Sequence, residues 1–131
     1  MIFGVGTDLV KVERIEATYR RFGEHFVDRL LMPEERALFD PERRPVRFLA
    51  MRFAAKEAIS KALGTGFRHG VWIRDFGFKA NAWGKPEVLF SARGRSVADQ
   101  LGAGEGHVSL TDEAGLVMAF AVLMKKPGAT R

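Results

Sequence analysis

Asp8, Glu57 and Lys61 have the chemistry to hold a hard cation beside a phosphate. Asp8 closes an apolar stretch that carries Gly4 and Gly6, and Glu57 and Lys61 stand at i, i+4, one helical turn apart. Two carboxylates so far separated in sequence can meet across a core and hold a magnesium ion, which takes few protein oxygens and fills its shell with water and ligand phosphates. Lys61 would then neutralise a phosphate oxygen. The same residues also read as scaffolding, with Glu57 and Lys61 an exposed ion pair and Asp8 a helix cap. On spacing alone the scaffolding reading is favoured.

Other candidates are equally two-sided. Gly64-Thr65-Gly66 lets backbone N–H groups approach a pyrophosphate, or simply ends a helix. His107 opens a predicted strand as a core histidine, a subunit contact or a phosphate ligand. The Arg20-Arg21 pair reads first as a solvated face. Several familiar sites are excluded. Gly4-x-Gly6 lacks the third glycine of a dinucleotide fingerprint, because Leu9 stands there, and Gly84-Lys85 is followed by Pro86 where a P-loop needs Ser or Thr. His25, His69 and His107 show no zinc spacing, no Gly-x-Ser-x-Gly elbow occurs, and the absence of cysteine removes thiol, disulfide and iron–sulfur chemistry.

The elements that must position these residues follow from periodicity. Residues 2–9 predict a short strand whose glycines admit another backbone. A helical pattern then carries Val12, Ile15, Tyr19 and Phe26 on one stripe, with Arg14, Arg20 and Arg21 off it. Met32-Pro33-Glu34-Glu35 opens a second short helix through Phe39. Residues 46–63 form the longest helical pattern, closed by Gly64. Phe48, Met51, Ala55, Ala58, Ile59, Ala62 and Leu63 share one arc of it, and Ala50, Ala54, Glu57 and Lys61 lie opposite, where small residues leave room for a chain segment or a ligand. Strands are predicted over 71–80 and 86–90, a helix over 92–102, and a hairpin of strands 107–110 and 116–124 joined at Asp112-Glu113-Ala114-Gly115. Lys125 to Gly128 are expected to fray. This order predicts one α+β domain over residues 1–131, a mostly antiparallel sheet packed against a long helix.

Composition bounds the partners. The chain has 131 residues, 47% hydrophobic and 28% charged, the balance of a folded domain with its own core. The net charge of +5 is spread over both halves and favours an acidic partner. With no basic leader before an apolar run and no long uncharged stretch, neither secretion nor a membrane span is expected, and the cytoplasm is the default compartment. Charge alone also allows a basic module that binds RNA or another polyanion without catalysis.

The segment Arg52-Phe-Ala-Ala-Lys-Glu-Ala-Ile-Ser-Lys-Ala-Leu-Gly-Thr-Gly66 closely resembles the signature of the bacterial holo-acyl-carrier-protein synthases, the small 4'-phosphopantetheinyl transferases. Gly4-Val-Gly-Thr-Asp-Leu-Val, Gly84-Lys85-Pro86 and His107-Val-Ser-Leu-Thr-Asp agree in order and spacing, so the resemblance spans the chain and points to the short, trimeric class. It implies transfer of the phosphopantetheine arm of coenzyme A to a serine of apo acyl carrier protein, in fatty acid biosynthesis, with release of adenosine 3',5'-bisphosphate. Asp8 and Glu57 match the family's magnesium ligands, and Glu57 or a water it holds at the metal would take the serine proton.

Lys61 matches a lysine on coenzyme A phosphate, with Gly64, Thr65 and Gly66 along the same ligand. Arg52, Lys85, Pro86, His107 and Ser109 match positions around the nucleotide and its 3'-phosphate, some of them supplied by a neighbour in a trimer whose active sites lie between subunits. Arg14 matches a residue that docks the acidic carrier helix, and Arg20 or Arg21 lies close to a second. Residues 20–45 and 103–106 follow the family only loosely, which leaves the docking contacts open. A trimer that binds coenzyme A without turnover fits the same residues.

Overall fold

The computed structural model describes residues 1–128. Five strands form one antiparallel sheet in the order β1-β5-β4-β3-β2: β1 is Ile2–Lys11, β2 Phe76–Ala80, β3 Pro86–Phe90, β4 Ala103–Glu113 and β5 Leu116–Lys125. The helices are α1 Val12–Phe22, α2 Glu24–Leu30, α3 Pro33–Arg36, α4 Pro45–Leu63 and α5 Ala92–Leu101. This is the α+β architecture expected, with the long helix lying against the sheet. Among the described residues no helix is long and apolar enough to cross a membrane.

The centre of the molecule is α4. Pro45 stands in its first turn, and Gly64 closes it in the left-handed conformation at φ 88°. It is buried on nearly every side, with Leu49, Ala50, Ala54, Ala58 and Ile59 all fully enclosed. At Gly4 and Gly6, strand β1 meets α4 at Ala58 and Ala62, residues of the arc read as apolar, and reaches only Lys61 of the side left open in the sequence. A Cβ at Gly4 would lie 2.0 Å from the Ala62 carbonyl oxygen, and one at Gly6 would lie 2.1 Å from that of Ala58. Glycine in the strand therefore meets alanine in the helix, and the two backbones pack in contact.

The helical pattern expected to carry Val12 through Phe26 is instead divided. β1 runs on to Lys11 because that residue still pairs with Leu116, and Gly23, at φ 55° and ψ −131°, separates α1 from α2. The helix opened by Pro33 ends at Arg36, short of Phe39. The strand expected from Val71 starts only at Phe76. Before it, a 3-10 turn spans Ile73–Asp75, held by the Asp75 carboxylate, which accepts a hydrogen bond from the Trp72 N–H at 2.7 Å. Strand β4 starts at Ala103 rather than His107. The hairpin turn falls on Ala114 and Gly115, both at positive φ. Lys125 and Lys126 are tied down, their amides donating to the carbonyls of Met1 and Gly102, so fraying does not begin there. Residues 129–131 lie outside the described residues.

Candidate active site

The seam between β1 and α4 brings Asp8, Glu57 and Lys61 together. Alternation along β1 turns Gly6, Asp8 and Val10 toward the helix. Lys61 Nζ donates to the Thr7 carbonyl at 3.0 Å and lies 3.4 Å from Asp8 Oδ1. The other oxygen of Asp8, Oδ2, is buried with no hydrogen-bond partner. Glu57 is half-buried. Burial, then the neighbouring charge of Asp8, push its carboxyl above the ordinary value, against the opposing pull of Lys61 and Arg14.

Neither scaffolding reading survives this geometry. The residue before α1 is Lys11, with no side-chain cap, so Asp8 caps nothing. Among the described residues Lys61 pairs with Asp8 and not with Glu57. Two converging carboxylates, one with an orphaned buried oxygen and the other destabilised as an anion, suit a divalent cation. Among the described residues no group of three or more His, Asp or Glu side chains could enclose a metal, so the remaining ligands would have to be water or substrate oxygen. A lysine beside them would hold a phosphate oxygen.

The glycine turn follows the helix-ending reading. The amides of Gly64 and Gly66 both donate to carbonyls of the last helical turn, those of Ser60 and Lys61. They therefore close the helix and are not free to cradle a pyrophosphate. Thr65 is buried, its hydroxyl donating to the Gly66 carbonyl at 2.8 Å.

Arg52 is nearly buried at 8% exposure, one face of α4 away from Glu57. Its guanidinium sits 4.0 Å from the ring centroids of both Phe48 and Phe78, and its Nε lies 3.6 Å from Glu35 Oε2. It lines an open cleft with Arg43, Arg44, Arg47, Phe78 and Gly84. The three added arginines were not singled out in the sequence. Their signal was the run Arg43-Arg44-Pro45-x-Arg47 at the start of the longest helix, where the helix dipole already favours an anion.

Lys85, Pro86 and His107 line a neighbouring cleft with Glu87, Arg95 and Glu105. His107 is exposed, which removes the core reading. Ser109 is exposed on β4, opposite Phe120 of β5. Asp8, Glu57 and Lys61 are not among the residues lining this cleft. One chain thus carries the carboxylate pair on the helix side of edge strand β1, and His107 on β4, with β5 between those strands.

A family model described as the 4'-phosphopantetheinyl transferase superfamily matches residues 4–121. The holo-[acyl-carrier-protein] synthase of Thiobacillus denitrificans is 45% identical over 123 residues, 94% of this chain and 94% of that one. The chain belongs to the holo-acyl-carrier-protein synthase family. The crystal structure of the family member from Neisseria meningitidis superposes with a TM-score of 0.89 at 42% identity, covering 95% of this chain and all of that one. The synthase of Bacillus anthracis, solved in complex with CoA (3',5'-ADP), superposes with a TM-score of 0.77 at 31% identity, covering 96% and 99%.

In this member of the family the three arginines singled out on α1 are all exposed. Arg14 reaches toward Glu57, Arg20 stands 3.8 Å from Glu16, and Arg21 lies over the Phe22 ring at 5.1 Å. A cationic cleft missed in the sequence lies on α2, where His25, Arg29, Arg74 and Arg93 surround an apolar floor of Phe26, Leu30 and Phe53. The break at Gly23, which splits the predicted helix, creates it. Read as one helix through Phe26, the segment hid that His25 and Arg29 share a new surface.

Proposed function

We propose that this chain transfers the 4'-phosphopantetheine arm of coenzyme A to a serine hydroxyl of apo acyl carrier protein, releasing adenosine 3',5'-bisphosphate, in fatty acid biosynthesis. The observation that carries the reading is the orphaned Asp8 Oδ2 beside a half-buried Glu57 and the Lys61 ammonium. The cytoplasm is the compartment that fits a cysteine-free chain serving this reaction.

The transfer is an in-line displacement at the phosphorus that bears pantetheine. The serine oxygen bonds to that phosphorus, the bond to the bridging oxygen of the pyrophosphate breaks, and the nucleotide half leaves with the electron pair. Asp8 and Glu57 would hold magnesium, which when bound supplies Lewis-acid stabilisation of the charge growing on the pyrophosphate. Glu57, itself or through a water it holds, would take the serine proton. Lys61, anchored on the Thr7 carbonyl, keeps its ammonium at the seam, where it would pair with a phosphate oxygen.

The arginine cleft with Arg52, and the neighbouring cleft of Lys85, Pro86 and His107, are the surfaces suited to the nucleotide and its 3'-phosphate. A homotrimer would bring the second of these to the carboxylate pair of a neighbour. Its support is the sheet face turned away from α4, where Val5, Leu9, Leu116, Met118 and Phe120 are all exposed and form an apolar surface that suits a subunit contact. For the carrier, the cations of α1 and the α2 cleft offer a basic surface with an apolar centre, which fits an acidic helix that presents one apolar side chain. A polyanion-binding module rests on net charge alone.

Intact-mass analysis of an apo acyl carrier protein, incubated with this protein, coenzyme A and magnesium beside a chelator control, tests the reading. The carrier gains one phosphopantetheine arm only with metal present. Coenzyme A binding without any gain on several carriers would make the chain a binder and not a transferase.

A further inference from the structure

Glu35 is fully enclosed, and so is Lys56, whose Nζ donates to Glu35 Oε1 and to the Phe76 carbonyl. The same carboxylate accepts the Met32 N–H at 3.0 Å and the Phe78 N–H at 3.3 Å, and its Oε2 faces Arg52 Nε. A Cβ at Gly77 would fall 2.6 Å from the carboxylate carbon, so glycine in β2 is what admits this group into the interior. One buried anion thus faces two buried cations.

Such a group is costly to bury and must be held by every partner it has. For stability alone, one Glu35–Lys56 pair would close the charge count, and Arg52 would be surplus. Arg52 instead has Glu35 as its one carboxylate partner among the described residues, and two aromatic faces fix its plane. It is also the member of this cluster that lines the arginine cleft.

We infer that Glu35 is a positioning residue for anion binding: with Phe48 and Phe78 it clamps the Arg52 guanidinium at the wall of the arginine cleft, where it receives the 3'-phosphate of coenzyme A. Lys56 balances the second half of the Glu35 charge and ties the carboxylate to β2. The buried excess of one positive charge is then completed by the ligand. This rests on the reading of the cleft as the nucleotide phosphate site.

The test compares coenzyme A with dephospho-coenzyme A, which lacks only that phosphate, as substrates for Glu35→Gln, Lys56→Met and the double variant Glu35→Gln/Lys56→Met. The double variant removes the carboxylate together with its main counter-charge, so it keeps the test open if the single Glu35→Gln is destabilised; thermal melts and oligomeric size establish which variants are folded and compared. A charged hydrogen-bonding partner for a phosphate is worth about tenfold or more in affinity. Wild type is expected to favour coenzyme A by that factor in KM, and Lys56→Met to keep the preference. Both Glu35 variants should lose most of it with little change in kcat, which a general packing defect would not single out. A folded double variant that discriminates like wild type, or a Lys56→Met protein that loses the preference as fully as the double variant, overturns the clamp. A wild-type protein that does not distinguish the two substrates overturns instead the placing of the 3'-phosphate in this cleft.

Discussion

Lys61 stands 3.4 Å from one oxygen of Asp8, across the seam between β1 and α4, while the other oxygen of the same carboxylate is buried and bonded to nothing. A surface ion pair has no reason to bury half of its anion unsatisfied, since an orphaned polar atom destabilises the fold. The arrangement fits the divalent cation proposed for this site. Asp8→Asn and Glu57→Gln are therefore expected to reduce transfer by a factor of about 1,000 or more, with circular dichroism unchanged. A variant of either residue that retains full activity in the mass assay would remove the metal assignment.

Glu57 gives a second consequence, in stability. Its carboxyl is raised by burial and by Asp8, so its contribution to folding is fully present below the unfolded glutamate value and is lost as pH rises through the folded one. At neutral pH the ionised group works against the metal-free fold. Glu57→Gln should raise the Tm of metal-free protein in neutral buffer, and the gain should vanish on acidification through the glutamate range. Magnesium should raise the Tm of wild type and leave that of Glu57→Gln unmoved. A lower Tm for the glutamine variant at neutral pH contradicts the direction.

What the sequence disclosed follows from which signals are local. The long helix was legible because alanines fill it and Gly64 ends it, and Asp8, Glu57 and Lys61 were legible as a candidate set because strand end and helical spacing put them within reach. Lys56 was not, although it adjoins Glu57. Charged residues mostly belong at the surface, and only the packing of α3 and β2 against α4 reveals that Glu35 and Lys56 face each other. The Gly23 break was misread because apolar spacing continues across it to Phe26, and periodicity does not register a backbone at φ 55°. Arg43 and Arg44 precede the helix predicted over 46–63 and Arg47 stands in its first turn; none was singled out, because periodicity does not register which cations line a cleft.

The contact of Gly6 with α4 sets the height of Asp8 above Glu57. A Cβ there meets the Ala58 carbonyl oxygen at 2.1 Å and the Ala62 amide at 2.7 Å, backbone atoms that cannot rotate away. Gly6→Ala must lift β1 from the helix, at a cost of about 2–4 kcal/mol. Urea unfolding reads the loss directly, and transfer should fall further than stability does, because the carboxylates part. A variant with native stability and activity would show that the strand–helix contact has slack.

The cationic cleft on α2 should act in carrier recognition, not in chemistry. Arg29→Glu and Arg21→Glu are expected to raise KM for the carrier protein by about tenfold and leave KM for coenzyme A unchanged, and added salt should narrow the gap from wild type. Equal effects on both substrates would place these arginines elsewhere in function.

The exposed face of the sheet carries the last expectation. Phe120 stands between Thr7 of β1 and Ser109 of β4, on the side away from α4, with Met118 and Leu9 one pair further along. Phe120→Glu sets a charge into that apolar patch and should give a species near 14.6 kDa by light scattering, with transfer lost although Asp8, Glu57 and Lys61 are untouched. Sharing of sites between subunits is read by mixing. Asp8→Asn and His107→Ala, each inactive alone, should regain activity when refolded together, because random assembly pairs an intact Asp8 with a neighbour's intact His107 at about a quarter of the interfaces. If the mixture stays as inactive as its components while the parent protein is trimeric, each subunit carries both residues in its own site, and the neighbour contributes no His107.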